Sequence, residues 1–214
     1  EWIYDADEIG MWDRELTASE VNQLYFGNQG NQYPFSTANP LTGGLQSYYK
    51  MDDDATDALG VNDGTAVNTT YVTGKINNGI QLNGTSAYLD TNTNTLVGGK
   101  TAFTLSVWIK MPSTKTSNII YANWNGGVDD TILLRLNNSD LQFYLFNTSD
   151  IQVGGTFTTL SDTTSFHHIV ASYDGATMRM YLDGVLLGTT FSQSGTLKTA
   201  TGTEKWGRQF TNYG

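Results

Sequence analysis

The feature that most constrains this chain is a succession of short runs of alternating apolar and polar residues, each closed by Gly, Asn or Asp. From Leu45 onward such runs recur at 45–50, 79–82, 87–90, 103–111, 118–122, 131–136, 141–146, 167–173, 177–182 and 185–190. A period of two places successive side chains on opposite faces, the pattern of a half-buried strand. Tyr181-Leu182-Asp183-Gly184-Val185-Leu186 is the sharpest instance. Its Asp-Gly pair supplies the two positive-φ positions of a type I′ hairpin turn. Strands joined by turns, with almost no helix between them, argue against a parallel α/β sheet and predict an antiparallel sandwich or barrel. A chain of 214 residues suits one large domain of that kind.

The residues before Leu45 behave differently. Residues 1–12 (EWIYDADEIGMW) read as an extended segment. Thr17 and Glu20 form a Thr-x-x-Glu capping box, and Val21 and Leu24 give the next turn an apolar face, so one short helix is expected near residues 17–25. Residues 27–44 are polar and Gly-rich and hold Pro34 and Pro40; they read as a linker or an ordered surface loop.

Composition removes several functions. A hydrophobic fraction of 38% with 12% aromatics is too apolar for a disordered chain. A formal net charge of −10 leaves no basic footprint for nucleic acid and disfavours anionic membranes, but it suits divalent cations and a secreted protein. The chain has no cysteine, which excludes disulfides, thiolate chemistry and Cys-based zinc sites. Its longest apolar runs are of strand length, so no membrane insertion is expected. It begins at Glu1 without Met or a signal peptide, and is expected to be a mature product or an excised fragment.

Five segments carry a family resemblance: GIQLNGTSAYLD (79–90), FTLSVWIK (103–110), SFHHIVASYDGATMRMYLDGVLLGT (165–189), KWGRQF (205–210) and DADEIGMWDRELTASEVNQLY (5–25). Together they resemble the laminin-G-like, concanavalin-A-like lectin/glucanase jelly roll. The resemblance implies an all-β fold of two antiparallel sheets in which the tryptophan of FTLSVWIK, Trp108, points into the core. In the family the Asp-Glu-Ile-x-x-Trp strand and its helix come last, after the Gly-Arg strand, whereas here they come first. The implied organisation is a closing strand and helix in residues 1–26, a linker or loop at 27–44 and a main body at 45–214. The first segment either completes its own sandwich as a circular permutation, is donated to a neighbouring copy through strand 1–12, or finishes a preceding domain in a tandem array.

Four groups of residues are candidates for chemistry. The loop holding Asp52, Asp53, Asp54 and Asp57, followed by Asn62, Asp63 and Gly64, is rich in the oxygens that calcium takes, and also in residues that cap turns. By the resemblance, a Ca2+ site would draw on Asp7, Asp52, Asp57 and Asn62. Trp124 lies in the polar loop NWNGGVDD with Asn123, Asn125, Asp129 and Asp130. An aromatic face with amide and carboxylate acceptors is what a sugar needs; the alternative is a loop anchor. His167 and His168 are adjacent on a strand, so they are expected on opposite faces, one in the core and one in solvent. No paired-carboxylate strand motif of the retaining glycosidases is present; Asp7 and Glu8 are adjacent and are expected to face opposite ways. Asn-x-Ser/Thr at Asn68, Asn83, Asn137 and Asn147 marks glycan acceptors only in a glycosylating source. With the resemblance, these features imply an extracellular, non-catalytic carbohydrate-binding or adhesion module, secreted or on a cell or virion surface. Its expected partner is a glycan or cell-surface polysaccharide. The alternatives are a fibre subunit assembled by strand exchange and a glycoside hydrolase.

Overall fold

The computed structural model describes residues 4–83, 86–111, 118–124 and 129–208. The described elements in chain order are β1 (Tyr4–Trp12), α1 (Ala18–Tyr25), β2 (Leu45–Tyr49), β3 (Thr65–Val67), β4 (Thr70–Thr73), β5 (Asn78–Leu82), β6 (Tyr88–Asp90), β7 (Phe103–Lys110) and β8 (Asn118–Asn123). They continue with β9 (Ile132–Asn137), β10 (Asp140–Phe146), β11 (Gln152–Thr159), β12 (His167–Tyr173), β13 (Thr177–Leu182), β14 (Val185–Leu186), β15 (Phe191–Ser192) and β16 (Lys205–Trp206). They form two antiparallel sheets stacked as a jelly-roll sandwich. Sheet A runs β14-β13-β12-β7-β1-β5-β4, with β15 on β13 and β2 on β1. Sheet B runs β11-β10-β9-β8-β16-β6-β3.

The period-two pattern fills the space between the sheets. Leu105, Val107 and Ile109 of β7 pack there with Ile169, Ala171 and Tyr173 of β12, against Tyr121, Leu134 and Phe143 of sheet B. The opposite faces of β7 and β12 are also buried, because α1 and residues 26–44 lie over sheet A. Trp12, Leu16, Val21, Leu24, Phe35, Leu41, Leu45, Tyr48, Val170 and Tyr181 form a second core there. Residues 27–44 are thus an ordered covering segment, pinned by buried Phe35 and Leu41. The capping box is formed: Thr17 Oγ1 accepts the Glu20 N–H, and Glu20 Oε2 accepts the Thr17 N–H at 2.8 Å.

Two expectations change. Trp108 does not enter the space between the sheets; its ring packs in a cluster with Tyr25 of α1, at 5.7 Å, and His168, at 5.0 Å. His167 and His168 do take opposite faces, but buried His168 faces α1, and its Nε2 meets Ser106 Oγ at 2.8 Å. The physical reason is the covering helix, which buries both faces of sheet A. Sequence reading also missed the short strands β3, β4 and β15 and the Gly-rich β11, whose periods are too brief or too polar to register.

The N-terminal strand is central. β1 pairs with β7 along one edge; along the other it pairs with β5 at Tyr4–Ala6 and β2 at Ile9–Trp12. Among the described residues no helix is long and apolar enough to cross a membrane.

Candidate functional site

The site is built from the bulge in β1. The register against β7 slips by one residue between Asp7 and Gly10, and Glu8 takes a left-handed φ of 49°. That extra residue reverses the alternation locally. Asp7 and Glu8, expected on opposite faces, therefore both point to the covered side of sheet A. Asp7 Oδ2 accepts the N–H groups of Lys75 and Ile76 at 2.7 and 2.9 Å. This approach requires glycine at 74, since a Cβ there would lie 2.6 Å from Asp7 Oδ2. Glu8 Oε2 accepts the Tyr48 hydroxyl and Oε1 the Gln32 amide, both at 2.5 Å. Burial pushes the Asp7 carboxyl up to about 7 and the Glu8 carboxyl up to about 8, and the charge of Asp52 adds to both.

Gln32 links this buried pair to the surface. Its Nε2 also donates to Asp52 Oδ2 at 3.0 Å, and Asp52 Oδ1 accepts the Asn78 N–H. Asp52 opens the loop after β2, where Met51 and Asp53 take left-handed φ of 60° and 67°. Met51, Ala55 and Asp57 of this loop are buried, while Asp53, Asp54 and Thr56 are exposed. Asp57 is the anchor: its carboxylate accepts the N–H groups of Tyr48, Leu59, Val61 and Asn62. The loop is thereby held rigidly with its polar side outward.

Against that polar side lies a cavity of about 340 Å³, lined by Tyr33, Pro34, Lys50, Asp52, Asp54, Thr56 and Ala58. The Tyr33 ring is braced by Phe35, edge-on at 5.7 Å, and by Tyr48, also at 5.7 Å. Asp54 Oδ1 accepts the N–H and hydroxyl of Thr56. The cavity presents an aromatic face, an ammonium, a hydroxyl and two carboxylates. It is of the size and character that takes a small polar organic ligand.

A family model described as the concanavalin A-like lectin/glucanases superfamily matches residues 83–213. This chain belongs to that superfamily. No curated protein matches the sequence. Among solved structures, this superfamily domain is similar to domain 4 of AbnA, an extracellular arabinanase from Geobacillus stearothermophilus, in complex with arabinotriose. The TM-score is 0.62 at 18% identity, over 77% of this chain and 83% of that one. It is also similar to the binding domain of Paraclostridial Mosquitocidal Protein 1, with TM-score 0.52 and 11% identity over 72% of this chain. The receptor binding domain of botulinum neurotoxin D gives TM-score 0.52 and 13% identity over 71% of this chain. The chain spans less than half of each toxin domain, 46% and 41%.

Within this superfamily domain the residues picked from sequence separate. Asp7 and Asp52 belong to the network beneath the cavity, but Asp57 spends both oxygens on backbone N–H groups, and the Asn62 amide donates to Gln46 O and Ser47 Oγ. Among the described residues no three acidic or histidine side chains gather as a metal would require. Trp124 is half-buried, with its ring against Phe146 at 5.2 Å and its neighbours Ile119, Ala122, Leu133 and Tyr144 on the outer face of sheet B. Asn123 is buried and donates to Gly202 O; Asp130 is buried; Asp129 is turned onto Thr201. Asn125 lies outside the described residues. Tyr33, Lys50 and Thr56 were missed, while Asp54 was read only as part of the acidic loop. Tyr33 is about twenty residues from the acidic loop in sequence, and only the second core brings them together. The acidic loop itself was the one signal pointing here.

Proposed function

We propose that this chain is an extracellular, non-catalytic carbohydrate-binding module and that the cavity beside Tyr33 is its sugar site. The observation that carries this reading is the cavity itself. It pairs a braced tyrosine ring, suited to the C–H face of a sugar, with donors and acceptors suited to hydroxyls. The arabinanase domain in complex with arabinotriose and the binding domains of two toxins support it as relatives in fold. A non-catalytic role is favoured by the carboxylates. Asp52 is held by three neutral donors, and Asp7 and Glu8 are buried with their oxygens occupied.

The test is calorimetric titration with a panel of oligosaccharides, each with and without calcium. Tyr33→Ala should weaken the binding found by about tenfold, the scale of one aromatic stacking contact. Trp124→Ala should leave it unchanged, and circular dichroism checks that both variants fold. Absence of binding to any glycan would sink the reading. Loss of binding in Trp124→Ala alone would move the site to sheet B.

A further inference from the structure

The charges around the cavity say more about its ligand than its shape does. The chain places its cations on acids elsewhere: Arg14 on Glu20, Lys110 on Asp5, Arg179 on Glu15 and Asp174, Lys205 on Asp90. Asp52 and Asp54 have no such partner among the described residues. Asp52 is held by neutral amide donors alone, and Asp54 uses only Oδ1, on Thr56, which leaves Oδ2 open. Lys50 lines the same space, yet forms no ion pair with either carboxylate. The cavity is therefore lined by two acids and one lysine with no ion pair among them, in a chain whose formal net charge is −10.

We propose that the cavity prefers a sugar carrying a free amino group, a hexosamine unit, and turns away uronic and sulfated sugars. This rests on the reading of the cavity as a sugar site. A ligand ammonium gains the open Asp54 oxygen, the field of Asp52 and the face of Tyr33, while Lys50 donates to a hydroxyl or ring oxygen on the far side of the same ring. A ligand carboxylate meets one ammonium against two acids and the negative field of the whole chain, so it is repelled.

Three oligosaccharides of equal length distinguish the cases: one of glucosamine, one of N-acetylglucosamine and one of galacturonate, titrated into the full chain below the pKa of the amine. The glucosamine oligomer should bind about fivefold more tightly than its acetylated counterpart at low salt, the scale of one partly exposed ion pair. The galacturonate oligomer should bind most weakly. High salt should shrink the preference. Asp54→Asn should shrink it too, and Lys50→Gln should widen the gap between the amino and acidic sugars. Equal affinity for the amino and acetylated oligomers, a preference indifferent to Asp54→Asn, or tight binding of galacturonate overturns the inference and leaves a neutral-sugar site standing. Failure of all three to bind, when other glycans bind in a Tyr33-dependent way, also overturns it. Failure of every glycan overturns the sugar site itself.

Discussion

One inserted residue, Glu8, decides the electrostatics of the covered side of sheet A. Strict alternation would have sent Asp7 and Glu8 to opposite faces; the bulge sends both under Gln32 and Tyr48, where desolvation raises their carboxyl pKa values to about 7 and about 8. The folded chain then holds protons that the unfolded chain releases near the ordinary carboxylate range, so stability falls as pH rises toward the folded values. Buried His168 works in the opposite sense. Burial lowers its pKa to about 3, so acid below its ordinary value of about 6.5 favours the unfolded chain. As pH rises past about 6.5 the unfolded histidine loses its proton as well, and the two carboxyls dominate the slope. Urea midpoints should therefore drop between about pH 6.5 and about pH 8.5, and Glu8→Gln should flatten that slope whatever it does to the midpoint. A slope unchanged by Glu8→Gln would place the proton elsewhere. No sequence pattern announces this bulge, because Asp-Glu-Ile-Gly reads equally well as an unbroken strand.

At the scale of elements, β1 is the clearest case of a part whose place was not legible from its order. Its motif was legible: the Asp-Glu-Ile-x-x-Trp pattern and the capping box after it mark a strand and a helix. Where the strand docks depends on the vacancy that β7, β5 and β2 leave between them. β1 puts Tyr4, Ala6, Ile9 and Met11 into the main core and Trp12 into the second, with Trp12 Nε1 donating to Leu41 O. Their burial is worth on the order of 10 kcal/mol, comparable with the whole stability of a domain. Removal of residues 1–12 should leave the chain without its cooperative unfolding transition and without dispersed amide resonances. A peptide of residues 1–26 added in trans should restore both. A truncated chain that folds alone would show that β1 is dispensable to the sandwich.

For the whole molecule, β1 seated between strands of its own chain and a net charge of −10 both work against association. Light scattering should report a monomer. Chelation should leave the melting temperature unchanged, because Asp7, Asp52 and Asp57 direct their oxygens to separate protein donors. A melting temperature raised by several degrees on adding calcium would return the acidic loop to a metal-binding role. An oligomer that accepts the peptide of residues 1–26 would return β1 to strand exchange between copies.

The sandwich, the hairpin at Asp183-Gly184, the capped helix and the acidic loop could all be read from the order of residues alone. Each of these is written in neighbouring residues, through a period of two, a turn dipeptide, a Thr-x-x-Glu spacing or a run of like side chains. It took the folded chain to show that α1 and residues 26–44 cover sheet A, that Asp7 and Glu8 share one face, and that Tyr33 lines one cavity with Lys50, Asp52 and Asp54. These depend on a one-residue slip and on contacts between segments far apart in the chain, where packing of the second core, and no local pattern, chooses the neighbours.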